Sequence, residues 1–262
     1  MIEASLCRAL ISVIGCLGTP HYTKRRGRWK SGTIRSLCQS ICALIPAFNE
    51  AEHIAAVVTG ALRRVHEVIV IDDGSNDGTG PAAQSAGAAC IRGETRRGKG
   101  AALRKGIEAI RARDFSHVLL MDGDGQHDPD DIPLLVDAAR RTGADLVIGT
   151  RSFERGRMPL PRYFSNTVGS RVASLIAGVN LSDSQSGFRL IRAGKLRELR
   201  LRSNKYEIEM EMIIKAAAAG YRLEQVPVRT VYQDGRGRSK MRIVRDTVRI
   251  CLWSLLYRYV GI

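Results

Sequence analysis

Val118-Leu119-Leu120-Met121-Asp122-Gly123-Asp124 decides how this chain is read. Four apolar residues without polar alternation predict a strand covered on both faces. Two carboxylates, one residue apart, follow it. At the exit of a buried strand both point into the space beyond the sheet edge, and Gln126 falls just after them. Hard oxygen donors of this kind suit Mg²⁺ or Mn²⁺, and Mg²⁺ commonly keeps coordination places for substrate phosphates. A solvated acidic turn is the alternative, because Asp and Gly are ordinary turn residues.

Outward from this stretch the pattern repeats. Ile41 to Ile45 is a short apolar strand stopped by Pro46, and Glu50 to Arg64 reads as a helix that Asn49 can cap. Val68 to Ile71 is a second apolar strand, ending in the turn Asp72-Asp73-Gly74-Ser75. A short helix over Thr79 to Gly87 and a strand over Ala88 to Ile91 follow. Helices are predicted over Gly100 to Arg111 and Asp130 to Arg141, and a fifth strand over Asp145 to Gly149. Unalternating strands separated by helices predict an α/β fold, with a mostly parallel sheet covered by helices on both faces. Ligands of such sheets bind beyond the carboxyl ends of the strands. Three polar motifs follow strands in this way: Pro46-Ala47-Phe48-Asn49-Glu50, Asp72-Asp73-Gly74-Ser75 and Asp122-Gly123-Asp124. One crevice can hold all three.

Composition narrows the classes of partner. The chain has 262 residues, 44% of them hydrophobic, which is enough for a sizeable core. A net charge of +15 favours an anionic partner: nucleic acid, an anionic membrane surface or phosphorylated substrates. Aromatics make up only 5%, leaving few stacking platforms for single-stranded nucleic acid. The six cysteines form no Cys-x-x-Cys pair and no zinc spacing, which fits a reducing compartment. No segment is long and apolar enough to span a bilayer. Residues 1–38 read as an extension outside the fold, disordered or surface-associated, or as the product of an over-called start codon. Residues 39–240 carry the regular pattern, and 241–262 form a C-terminal segment of their own.

Several local patterns fall short of the chemistry they suggest. Gly93 to Lys99 matches most of a phosphate-binding Walker loop, but Gly100 stands where the Mg²⁺-binding hydroxyl is needed. Asp73 to Gly78 begins like an EF-hand, but Gln84 stands where a bidentate Glu belongs. His127 is either a metal ligand beside Asp124 or a hydrogen-bonded loop histidine. Glu207, Glu209 and Glu211 read as an exposed helix start whose charges favour the N-terminal dipole. The alternative is that one of them faces the crevice as a base or sugar-hydroxyl acceptor.

Taken together, the motifs resemble family-2 glycosyltransferases of GT-A fold, in the branch of dolichyl-phosphate mannose synthase. The resemblance covers about residues 41 to 245. It rests on Ile45 to Glu50, Val70 to Thr79, Arg97-Gly98-Lys99-Gly100, Met121 to His127, Gly149-Thr150-Arg151, Asp183 to Arg189, and Ser239-Lys240. It implies a Rossmann-like GT-A domain in which Pro46, Phe48 and Glu50 line the nucleotide pocket and Asp72 holds the base or ribose. Asp122, Asp124 and Gln126, with Gly123 between them, would hold Mg²⁺ or Mn²⁺ and the diphosphate. Arg151 and Lys240 would reach the phosphates, so Asp124, Arg151 and Lys240 carry the catalytic role. Arg151, Arg162 and Ser165 would bind the acceptor phosphate, the last two sharing a face of a predicted helix. The chain departs from the family at Asp234, where an Arg is usual six residues before the Lys; Arg236 or Arg238 is the substitute.

The resemblance implies inverting transfer of a hexose, mannose or glucose, from a nucleoside-diphosphate sugar to a polyprenyl phosphate, dolichyl or undecaprenyl. Val244, Val248, Cys251, Leu252, Leu255 and Tyr259 recur at helical spacing among Arg242, Arg245 and Arg249. That is the pattern of an interfacial amphipathic helix on an anionic membrane surface, or of a helix packed on the core. The expected location is cytoplasmic, peripheral on the cytoplasmic face of a membrane, with a separate membrane-anchoring partner as another means of attachment. Two rival readings remain. One is a family-2 enzyme with a saccharide or other hydroxyl acceptor, using Glu207 or Glu209 as base. The other is a non-catalytic nucleic-acid binder, which leaves the strand-end carboxylates unexplained.

Overall fold

The computed structural model of the protein describes residues 40–151, 170, 171 and 173–231. The N-terminal extension, Arg162, Ser165, Asp234, Arg236, Arg238, Lys240 and the C-terminal amphipathic segment all lie outside the described residues.

Among the described residues seven strands form one sheet: β1 (Ile41–Ala47), β2 (Glu67–Asp72), β3 (Ala89–Arg92), β4 (His117–Leu120), β5 (Leu146–Arg151), β6 (Arg189–Arg192) and β7 (Leu223–Val228). Their spatial order is β3-β2-β1-β4-β6-β5-β7. The pairs β1–β2, β1–β4, β2–β3 and β5–β7 are parallel. β6 runs antiparallel to both of its neighbours, β4 and β5. Every strand but β6 therefore points its carboxyl end at the same edge.

Side chains of β1 show how the sheet is buried on two faces. Ile41, Ala43, Ile45 and Ala47 enter one apolar core, with helices α1 (Ile54–Leu62), α2 (Thr79–Ser85) and α4 (Ile132–Thr142) supplying its other side. Cys42 and Leu44 enter the opposite core, under α3 (Lys99–Ala109), α5 (Ala193–Glu198) and α6 (Glu207–Ala218). The two-residue period of a strand forces this division, and burial on both faces is why no polar alternation marks these strands. Each fully buried Ile or Leu contributes about 1.5–3 kcal/mol to this arrangement. No helix among the described residues is long and apolar enough to cross a membrane.

Two expected boundaries shift for physical reasons. Pro46 does not stop β1, which continues to Ala47. It lies beyond the last residue paired with β4, Leu44, so its missing N–H falls where that neighbour has ended. Asn49 does not cap a helix beginning at Glu50. It adopts φ +52°, a left-handed conformation that Asn tolerates, and its side-chain oxygen accepts from the Asn76 N–H. Helix α1 begins at Ile54, with no side-chain cap on His53.

The loop after β2 does the capping instead. Ser75 Oγ accepts from the Asn49 N–H, Thr79 Oγ1 from the Glu50 N–H at 2.8 Å, and Asp77 Oδ2 from the Ala51 N–H at 3.0 Å. The Ser-Asn-Asp-Gly-Thr stretch thus stitches the β1 and β2 exit loops together, which accounts for its EF-hand-like appearance.

Candidate active site

Because β2, β1 and β4 are adjacent and parallel, their exit loops lie side by side, as the three motifs require. Arg151 closes β5 at the same edge. A small cavity beneath this edge is lined by Pro46, Lys99, Asp122, Gly187, Arg189 and Glu209.

The chemistry of this cavity centres on Lys99. Its ammonium lies 2.5 Å from Asp122 Oδ1 and also pairs with Glu209. Burial alone would raise the Asp122 carboxyl, but the Lys99 ammonium, with His127 and Arg151, together outweigh it and hold that carboxyl below its usual range. Burial and the Asp122 charge push Asp124 the other way, upward. Asp124 Oδ1 accepts from the Gln126 N–H, and the two carboxylates stand close enough for the Asp122 charge to act on Asp124. Two crowded carboxylates, one of them resisting ionisation, make a donor set that a divalent cation would relieve. Among the described residues no three His, Cys, Asp or Glu side chains are grouped to hold a metal. A hard cation here would complete its shell with diphosphate oxygens and water.

His127 belongs to the scaffold. Its Nδ1 accepts from the Asp122 N–H at 3.3 Å, and its ring stacks on Phe188 with centroids 5.1 Å apart. Burial pushes its pKa down. Gly123 is buried, and the backbone carbonyl of Gln126 accepts from Val231.

Arg151 reaches the edge in a fixed pose. Its Nε and Nη2 donate to Asp183 at 2.7 and 3.0 Å, a bidentate pair with Asp183 fully buried. Arg189, also fully buried, donates to the backbone carbonyls of Ser184, Ser186 and Glu209. It ties β6 and the Asp183 to Phe188 segment to the first turn of α6.

The nucleotide-side candidates divide by exposure. Phe48 and Glu50 are half-buried, and the Arg96 guanidinium lies 4.2 Å over the Phe48 ring. Asp72 sits deeper, 1% exposed, with Oδ1 accepting from the Ser75 N–H and Oδ2 3.8 Å from Arg92 Nε. Asp73 accepts from the backbone N–H groups of Arg97 and Gly98, folding the Gly-rich loop back over the β2 exit.

That loop is no phosphate cradle of the Walker type. A Cβ on Gly100 would stand 2.4 Å from Ser203 O, and one on Gly98, at φ +105°, 2.6 Å from Asn204 O. The glycines are there to admit the backbone of residues 203–205. The expectation of an exposed acidic helix start is also corrected. Glu207, Glu209 and Glu211 are 5%, 7% and 2% exposed. Glu211 accepts from the N–H groups of Arg202 and Ser203 and pairs with Lys215, whereas Glu209 faces Lys99. Successive Glu residues two apart on a helix stand about 200° from one another, so the three could never have shared one solvated face. That spacing was the available signal.

A mostly parallel sheet with one reversed strand, and an acidic pair at the exit of β4 flanked by a fixed arginine, define a glycosyltransferase of the GT-A class. The glycosyl transferase family 2 model matches residues 42–200, and the protein belongs to that family. It is 32% identical to undecaprenyl-phosphate mannosyltransferase of Micrococcus luteus, over 85% of this chain and 97% of the relative. To polyprenol monophosphomannose synthase of Mycolicibacterium smegmatis it is 30% identical, over 78% of this chain and 81% of the relative. Among solved structures, glucosyl-3-phosphoglycerate synthase of Mycobacterium tuberculosis in complex with Mn²⁺, UDP and glucosyl-3-phosphoglycerate shares the fold. Its TM-score is 0.67 at 23% identity, covering 90% of this chain and 86% of that one.

Proposed function

We propose that the protein transfers a hexose, mannose in the first instance, from a nucleoside-diphosphate sugar to a polyprenyl phosphate, with inversion at the anomeric carbon. The observation that carries this reading is the commitment of Glu209 to Lys99. A hydroxyl acceptor needs a general base at the sheet edge, and the glutamate facing Asp122 through Lys99 is already engaged. A phosphate monoester, with its second pKa near 6, is largely dianionic at neutral pH and needs none. The names of the two relatives point to the same acceptor chemistry.

Asp122, Asp124 and Gln126 are the residues to hold the cation. Bound there, Mg²⁺ or Mn²⁺ would neutralise the charge that grows on the departing nucleoside diphosphate. Pro46, Phe48, Glu50, Asp72 and Gly123 frame the nucleotide side. Arg151, held rigid by Asp183, presents fixed positive charge where two anions must be brought together, and preorganised charge of this kind acts without reorganisation cost. Arg162, Ser165 and Lys240 complete the reading as acceptor and diphosphate contacts from outside the described residues. A peripheral position on the cytoplasmic face of a membrane, through the C-terminal segment or an anchoring partner, belongs to the same proposal.

Purified protein with Mn²⁺, a polyprenyl phosphate and a panel of nucleotide sugars tests it. Glycosyl-phospholipid should form with one donor and disappear with Asp124→Asn at saturating Mn²⁺. Transfer to a free saccharide but not to the lipid phosphate, or undiminished turnover by the Asp124 variant, overturns the reading.

A further inference from the structure

Lys99 is anchored at both ends in different ways. Its backbone is fixed, because Gly98 and Gly100 abut the 203–205 backbone and the Ala101 N–H donates to Asn204 O at 3.0 Å. Its ammonium lies between two carboxylates on separate elements, Asp122 after β4 and Glu209 on α6. The Glu209 backbone is fixed in turn by the buried Arg189 guanidinium, whose Nη1 donates to Glu209 O at 2.6 Å. Only the flexible four-carbon stem of Lys99 is free to redistribute its charge between the two acids.

The neighbouring cations are spoken for. Arg189 gives its donors to three backbone carbonyls and Arg151 grips Asp183. Lys99 is thus the cation that touches the carboxylate of the Asp-Gly-Asp turn. A divalent ion that binds Asp122 must share that carboxylate with the ammonium or displace it.

We propose that Lys99 is a built-in placeholder cation on Asp122, and that Glu209 is the positioning residue that retains its ammonium when a divalent ion and the donor diphosphate arrive. The idea rests on the cation-binding role proposed above for Asp122 and Asp124. Lys99 keeps the empty acidic turn neutralised and in place. Glu209 gives the displaced ammonium a second carboxylate, so displacement does not strand a buried charge. The ammonium remains beside the site, where it can face the diphosphate.

The two residues therefore act on cation affinity in opposite directions. Glu209→Gln leaves Lys99 with Asp122 as its sole carboxylate and adds one unit of positive charge, so Mn²⁺ should bind more weakly. Lys99→Met exposes Asp122 and removes a positive charge, so Mn²⁺ alone should bind more tightly. A unit charge a few ångströms away at an effective dielectric near 20 makes each shift about tenfold or more. A brace that merely orients Asp122 predicts weaker binding in both variants.

Free Mn²⁺ can be measured by electron paramagnetic resonance on the full-length protein, with and without a saturating nucleoside diphosphate. Thermal unfolding establishes that each variant is folded. Opposite shifts support the placeholder. Weakening in both variants, or no shift with Glu209→Gln, overturns it. Should Lys99→Met fail to fold, Lys99→Gln must shift affinity in the same direction for the proposal to stand. Wild-type protein that retains no Mn²⁺ with any nucleoside diphosphate sinks the metal reading as well. Wild-type binding with variants that behave alike sinks the placeholder alone.

Discussion

Gly187→Ala should separate activity from folding. A Cβ at this position would stand 2.5 Å from Asp122 Oδ2, 2.8 Å from Lys99 Nζ and 2.9 Å from Asp122 Cγ. Ordinary contact begins near 3.4 Å, so the carboxylate must recede by on the order of 1 Å. The obstructing atoms belong to two flexible side chains rather than to backbone, so the fold can yield. Turning Asp122 off its rotamer costs about 0.5–1.5 kcal/mol, which lowers the Tm of a domain this size by roughly 1–6 °C. A misplacement of about 1 Å at a reacting centre costs roughly 10²-fold in rate. Differential scanning fluorimetry beside a glycosyl-transfer assay reads both quantities. Activity within about threefold of wild type would show that the Asp122 pose has no bearing on turnover. A Tm loss well beyond 10 °C would show that the added methyl meets the core and not the acidic turn.

Two further outcomes follow from contacts of a different kind. Gly100→Ala sets a Cβ 2.4 Å from Ser203 O and 2.9 Å from Lys205 O, both backbone atoms that cannot step aside, so urea melts should register a loss of about 1–3 kcal/mol. The Asp183 carboxyl would be raised by burial, but Arg151 and the N–H groups of Arg151 and Gln185 outweigh this and hold it below its ordinary 3.8. Its contribution to stability is therefore full above about pH 4 and drains away as the pH falls through the lower folded value. Asp183→Asn should cost about 3 kcal/mol at neutral pH and flatten the acid limb of a stability-versus-pH curve; an acid limb of unchanged steepness would refute the assignment.

Strands β1, β2, β4 and β5 were legible because burial on both faces leaves an unbroken apolar run, as in Val118 to Met121, whereas β3 at the sheet edge is only partly buried and was legible from its place between two helices. Their exit motifs were legible because a parallel sheet has one functional edge. β6 was not, since Arg189-Leu190-Ile191-Arg192 offers only two apolar residues between arginines. Arg189 is nonetheless fully buried, its charge absorbed by carbonyls that come from Ser184, Ser186 and Glu209. No local pattern announces such a partner set. β7 was hidden by Glu224, Gln225 and Pro227, which are tolerable at a sheet edge. Lys99 was visible as part of Arg97-Gly98-Lys99-Gly100, but its destination depends on α6, far along the chain. Asn49 misled because a residue good at capping is equally good at a left-handed turn.

The reversed strand also dictates when the sheet can be completed. β5 pairs only with β6 and β7, both of which are synthesised after it. A nascent chain can zip β1, β2, β3 and β4 together as soon as Leu120 has left the ribosome, yet β5 must then wait for Arg189 to appear. At roughly 5–20 residues per second that delay lasts seconds, during which the apolar Leu146-Val147-Ile148 run of β5 has no ladder to join. Chaperone demand during translation should therefore concentrate in the interval between β5 and β6, when β1 to β4 are assembled and the edge beside β4 is still open.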